Sequence, residues 1–266
     1  MYNMPHNHTF HIVDPSPWPL FNSLNLMNLI FNSLLYIKFN NQINIILMML
    51  IFTLMILTMS LWWRDVFRES TFQGHHTFNV YKMMKISMVM FICSEIMFFV
   101  SFFWGFLSFS LCPEMEISNN WPPTSINMIN PFQIPLLNTS ILLSSGVTIT
   151  LAHFSMLKNK YYITYWNLMM TVIMGLVFSF IQMMEYKWTD FSINDNVFGS
   201  TFFMTTGFHG LHVLIGTFFL MINIMRLQKN QFSSIHHFSF EASAWYWHFV
   251  DVVWIYLFIL MYWWFY

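Results

Sequence analysis

The residues of this 266-residue chain that could do chemistry stand in apolar surroundings. In MFICSEIMFFVSFFWGF, residues 90–106, one carboxyl group, Glu95, interrupts an almost unbroken apolar run. TTGFHGLHVLIG carries His209 and His212 three residues apart, on one helix face. FEASAWYWHFVDVVWIY carries His248 and Asp251 at the same spacing. WWRDVFRESTFQGHH sets Trp63, Arg64, Arg68, His75 and His76 close together.

Each group allows a chemical and a structural reading. An ionised, unpaired carboxylate in lipid costs at least a few kcal/mol. Glu95 must therefore be protonated, paired, hydrogen-bonded or beside water. It is either a proton-pathway group or a neutral acid satisfying a neighbouring helix. Two histidines at i, i+3 can bind a metal. The paired-His-with-Glu signature of zinc proteases is missing, and packing with interhelix hydrogen bonds is the favoured reading of His209 and His212. Gly207, Gly210 and Gly216 around them would let helices approach closely. Asp251 can hold the tautomer of His248, or the two can form a buried polar pair that fixes helix register. Interfacial Arg beside Trp suits a phospholipid head group, and also the plain anchoring of a helix end.

The elements that must position these groups follow from composition. The chain is 57% hydrophobic and 8% charged, where soluble domains are about a quarter charged. So few charges cannot cover a water-facing surface, so the fold class is an all-α integral membrane protein. Seven spans are legible, at about 16–37, 43–63, 83–111, 134–157, 164–184, 197–225 and 241–264. Asn22, Asn25, Asn28 and Asn32 recur along one face of the first, which should look at protein rather than lipid. The polar segment 64–82 divides residues 1–70, with two helices, from residues 71–266, with five. Glu95 lies 10–13 residues beyond Lys85 and Lys82, about 15–20 Å along a helix.

Seven spans also sort the charges. Arg64, Arg68, Lys82, Lys85, Lys158, Lys160, Arg226 and Lys229, eight of the ten Lys and Arg, fall in loops sharing the N-terminal side. Glu114, Glu116, Glu185, Asp190 and Asp195 favour the other. The positive-inside rule then puts the N-terminus and basic loops inside, with MYWWFY at the outer interface. His153 and Glu241 sit near inner helix ends. The net charge of −1 gives no reason to expect nucleic acid, and Cys93 and Cys112, 19 residues apart, do not suggest a disulfide or thiolate metal site. The N-terminal MYNMPHNHTFHIVDPSPWP has neither a basic leader nor a short apolar core.

WWRDVFRESTFQGHHT, SEIMFFVSFFWGF, NWPPT, PLLNTSILLSSGVTIT, GSTFFMTTGFHGLHVLIG and HHFSFEASAWYWHFVDVVW closely resemble, in order, the cytochrome c oxidase subunit III family of mitochondria. The resemblance implies a seven-helix subunit of the mitochondrial inner membrane with its N-terminus in the matrix. It implies that helices one and two splay from a bundle of helices three to seven, leaving a cleft that holds phospholipids. It implies packing against catalytic subunit I and other oxidase subunits, no haem, copper or other metal in this chain, and support of proton uptake and sustained turnover. Cytochrome c and oxygen would be met only through the complex, whose a-type haems and copper lie on other subunits. By position, Glu95 matches the family's intramembrane glutamate. Trp63, Arg64, Arg68, His75, His76, Arg226 and Lys229 match its inner-side lipid contacts. His209, His212, His248 and Asp251 match the polar groups of its last two helices. Phe154 and Ser108 stand where the family commonly has His. The alternatives are a stand-alone proton-coupled transporter or channel, against which no inverted repeat is visible, and a metalloenzyme using His209, His212 and His248.

Overall fold

The computed structural model describes residues 9–113, 115, 119–124 and 126–266. Glu114 and Glu116, counted above among the outer acids, lie outside the described residues, as do residues 1–8. Among the described residues there are seven long α-helices: α1 Trp18–Phe39, α2 Gln42–Thr71, α3 Phe78–Leu111, α4 Ile134–Leu157, α5 Tyr161–Trp188, α6 Val197–Gln228 and α7 Phe238–Leu257, the last running on as π-helical turns over Phe258–Trp263. All seven are long and apolar enough to cross a membrane, so the protein is a multi-pass membrane protein.

Local chemistry sets the helix ends. α1, α4 and α6 close on asparagines in the left-handed region, Asn40 (φ 48°), Asn159 (φ 54°) and Asn230 (φ 52°), a conformation asparagine tolerates unusually well. The Asn41 side chain accepts from the Ile43 amide at 3.1 Å to start α2, and Asn196 accepts from Gly199 at 2.8 Å to start α6. Three boundaries differ from expectation. α2 runs on through Arg64 and Arg68 to Thr71, because charged residues in the interface are still good helix formers. The break falls at Gly74, whose φ of 69° a helix cannot take. α3 starts at Phe78, so Lys82 and Lys85 are helical rather than in a loop. α5 extends past residue 184 and takes Glu185 inside.

The chain divides into two compact units, Met1–Met84 and Lys85–Tyr266. In the first, α1 and α2 pack together, and neither has a fully buried residue. Thr58 Oγ1 donates to Asn22 Oδ1 at 2.6 Å, so Asn22 faces protein as expected. Asn28 is exposed, against expectation, because its position rotates off the α2 face. Thr77 donates to the Thr9 carbonyl and Trp18 Nε1 to Asp65 Oδ2 at 2.7 Å, which ties the N-terminal segment down.

In the second unit α4 packs on α5, α5 on α6, α6 on α7, and α7 back on α4. The centre of this circuit is Trp247, fully buried, with Nε1–H donating to Ser145 Oγ at 2.9 Å. Small residues make the space: a Cβ on Gly175 would lie 2.5 Å from Trp247 and from Thr217, and one on Gly216 would lie 3.0 Å from Trp247. Lipid gives helices no hydrophobic drive to associate, so close packing of this kind carries the stability. A Cβ on Gly207 or on Gly210 would meet nothing within 4 Å, so neither serves this purpose among the described residues, contrary to expectation. α3 joins the circuit through long side chains rather than close backbones. Phe99 meets Phe249 at 6.1 Å, and Phe106 meets Trp121 at 5.6 Å and Phe198 at 6.2 Å.

Candidate functional site

α3 and α6 bring Glu95 and His212 together. Glu95 Oε2 lies 2.9 Å from His212 Nε2, and His212 Nδ1 lies 2.7 Å from the carbonyl of Phe208, one turn back. A carbonyl can only accept, so Nδ1 carries a proton. The contact between Nε2 and Oε2 then needs a proton between them, carried by either atom. The pair is acid with neutral imidazole, or carboxylate with imidazolium. In both forms it holds one shared proton and no net charge, which lets it sit in lipid without the cost of a lone ion. The rings of Phe99 (5.0 Å), Phe98, Tyr246 and Phe249 (6.2–6.3 Å) surround the imidazole. The side chains remain 24% (Glu95) and 12% (His212) exposed.

His209, on the same helix, is fully buried against Phe178 and Trp254. Neither of its ring nitrogens has a hydrogen-bond partner among the described residues, so the expected interhelix hydrogen bond is not made there. Its packing is aromatic instead. Asp251 is buried, and Gly146 makes room for it: a Cβ there would meet Asp251 Oδ2 at 2.8 Å. His248 Nδ1 stands 3.7 Å from the same oxygen, but its side chain is 42% exposed, so only the aspartate half of the expected buried pair is enclosed. α7 turns His248 outward because its inward stripe is taken by Trp247, Val250 and Trp254.

The last turns of α2 present Trp62, Trp63, Arg64 and Arg68 as an exposed collar. Arg64 Nη2 is 3.0 Å and Arg68 Nη1 3.9 Å from Asp65 Oδ1, while both guanidinium groups stay about half exposed. His11 bridges back to Glu69 Oε2 at 3.1 Å and stacks on His75 at 4.9 Å, with His76 edge-on at 6.1 Å. Arg64 and Arg68 thus share Asp65, and His75 and His76 share His11, both groups lying within the first unit with Trp63 exposed beside the arginines in sequence. Lys229 is exposed on the α6–α7 turn. Arg226 is not on a lipid-facing surface: it is buried, donates to Ser239 Oγ and to Gln231 Oε1 (3.2 Å), and lies over the Phe232 ring. The short α6–α7 loop folds back over it.

A polar group that sequence reasoning missed is Glu185. Tyr262 donates to its Oε1 at 2.6 Å, and Gln182 adds a 3.3 Å contact while accepting from Asn138 at 3.2 Å. The i, i+3 spacing of Gln182 and Glu185 in an apolar run was the available signal.

Seven helices long and apolar enough to span a membrane, a carboxyl–imidazole pair between α3 and α6 and a basic aromatic collar on α2 define a polytopic membrane protein. Comparison with known families narrows this. The family described as Cytochrome c oxidase subunit III matches residues 8–266. The chain is 52% identical over 258 residues to "Cytochrome c oxidase subunit 3" of Drosophila melanogaster, and 50% identical over 257 residues to those of Pelomedusa subrufa and Tetraodon nigroviridis. Each match covers 97% of both chains. The chain belongs to the cytochrome c oxidase subunit III family.

Proposed function

We propose that this chain is the redox-silent third subunit of a mitochondrial inner-membrane cytochrome c oxidase, with its N-terminus in the matrix. The observation that carries this reading is the family match across residues 8–266. The polar groups agree with it. His212 already engages Glu95 and Phe208, and His209 is sealed between Phe178 and Trp254, which leaves neither disposed as a haem or copper ligand. The chain supports the catalytic subunit I and other subunits, and reaches cytochrome c and oxygen only through them. Trp63, Arg64, Arg68, His75 and His76 hold phospholipid head groups, the guanidinium donors taking the phosphate. Lys229 adds charge at the other basic turn. The Glu95–His212 pair is the proton-linked element.

The test is a reduced-minus-oxidised difference spectrum on the chain captured from detergent-solubilised membranes. An a-type haem band that co-purifies with the chain, and is absent from the chain after dissociation, is expected. A captured complex without haem overturns the reading. Loss of bound phospholipid phosphorus in an Arg64→Gln/Arg68→Gln variant is the expected sign of the lipid role, and unchanged phosphorus refutes it.

A further inference from the structure

At the end of the second unit where α4 finishes and α7 starts, three side chains outside the pair above converge. His153, His237 and Glu241 each offer one ligand atom, and these atoms lie within 4.8 Å of one another. His237 caps α7 and is 2% exposed. Its Nδ1 stands 2.9 Å from the Ser233 carbonyl, which can only accept, so Nδ1 carries a proton and Nε2 is the atom of the neutral ring that can ligate. That Nε2 is buried without a hydrogen-bond partner, as is His153 Nε2. The two rings meet edge to face at 5.6 Å, and Glu241 Oε1 is 3.6 Å from His237 Nε2.

We propose that His153, His237 and Glu241 form a binding site for a divalent metal ion of the zinc class. Two neutral imidazoles and one carboxylate suit a borderline-soft ion and not magnesium or calcium. Three protein ligands with the fourth position left to water is a stable arrangement for zinc. With bonds of about 2.0–2.2 Å, tetrahedral donors sit about 3.4 Å apart, so atoms now within 4.8 Å of one another close by up to about 1.4 Å through side-chain rotation. The Ser233 carbonyl supplies the outer contact that fixes the tautomer of a ligating histidine. His153 and Glu241 are partly exposed, which leaves a way in. Lys85 Nζ lies 2.7 Å from Glu241 Oε2, leaving Oε1 toward the histidines. This lysine opposes a bound cation and weakens the site without closing it. An ion here would bind the end of α4 to the start of α7. The inference rests on these residues and not on the functional reading above.

The test is a Zn2+ titration of the chain in its native assembly, chelator-washed, followed by equilibrium dialysis of labelled Zn2+. The wild-type assembly is expected to take up one Zn2+ more than a His153→Gln variant, or to take it at a free concentration at least about tenfold lower. Lys85→Gln is expected to tighten the same uptake, a result that a purely structural Lys85–Glu241 contact does not produce. Superimposable wild-type and His153→Gln curves overturn the proposal. Where a variant does not assemble, Cd2+-soaked wild-type protein decides: anomalous density bounded by the three donors supports the site, and its absence there overturns it.

Discussion

The shared proton of Glu95 and His212 makes a quantitative expectation possible. Replacing His212 by Phe keeps a ring among Phe98, Phe99 and Phe249 but strands the Glu95 carboxyl group. Stranding a largely enclosed polar group costs about 1–3 kcal/mol. Glu95→Leu strands the imidazole Nε2 instead, at a similar cost of about 1–2 kcal/mol. The double variant loses the hydrogen bond but leaves nothing stranded, and membrane hydrogen bonds are worth about 0.6–1.7 kcal/mol. Single costs that sum to about 2–5 kcal/mol, against about 0.6–1.7 for the double variant, make the double variant about 1–4 kcal/mol less destabilised than the two single variants combined. The 2.9 Å separation and the 12% exposure of His212 place the coupling toward the upper part of that range. The assay is reversible unfolding of the full chain in mixed micelles, followed by tryptophan fluorescence for all four members of the cycle. Additivity within about 0.5 kcal/mol would refute the shared-proton geometry.

Gly175→Ala should lower the unfolding free energy by about 1–3 kcal/mol, because its Cβ would meet the rigid Trp247 ring at 2.5 Å; Gly105→Ala, with nothing within 4 Å, should be close to neutral in the same thermal melt. Trp247→Phe should cost about 1–3 kcal/mol through the lost volume and the lost bond to Ser145, and Ser145→Ala should cost less; equal melts for wild type and Trp247→Phe would exclude this. The amide and hydroxyl of Ser192 both donate to Asp195, at 2.6 and 2.8 Å, and hold its carboxyl group below the usual carboxylate range. A lowered native value means the contribution is complete above the ordinary carboxylate pKa and is lost as pH falls through the lowered one. Protection of the Ser192 amide from hydrogen exchange should follow that course in the wild type, and should show no such acid step in Asp195→Asn.

Much of this was legible because lipid is an unforgiving solvent. A single acid in an apolar run, two histidines on one face and eight cations gathered at alternate helix junctions are signals that packing cannot disguise. Partners across helices were not legible. Spacing put His209 and His212 on one face, yet only His212 meets an acid, because 3.6-residue periodicity says nothing about which neighbour stands opposite. Apolarity ends near residue 184 and leaves Glu185 outside the span, whereas the helix continues and Tyr262, in the turns that follow α7, donates to it. Arg226 looked like a lipid contact for the same reason: the fold of the turn over it is a tertiary fact.

The two tethers of α3 give the polar groups a common logic. α4, α5, α6 and α7 close on one another through small residues and Trp247, and need no charge to do so. α3 lacks that close backbone approach and reaches the circuit through large rings, whose pairings add only about 0.5–1.5 kcal/mol each beyond their burial. A polar contact in lipid does not slide, since its loss strands both partners. Glu95 to His212 fixes α3 at depth, and Lys85 to Glu241 fixes it at the basic end. Two points along one helix determine its rotation as well as its position. The second point ends on the carboxylate that we assign to the metal site. An ion drawn to Glu241 therefore acts on the contact that holds α3, and occupancy at the aqueous end reaches the helix that carries Glu95.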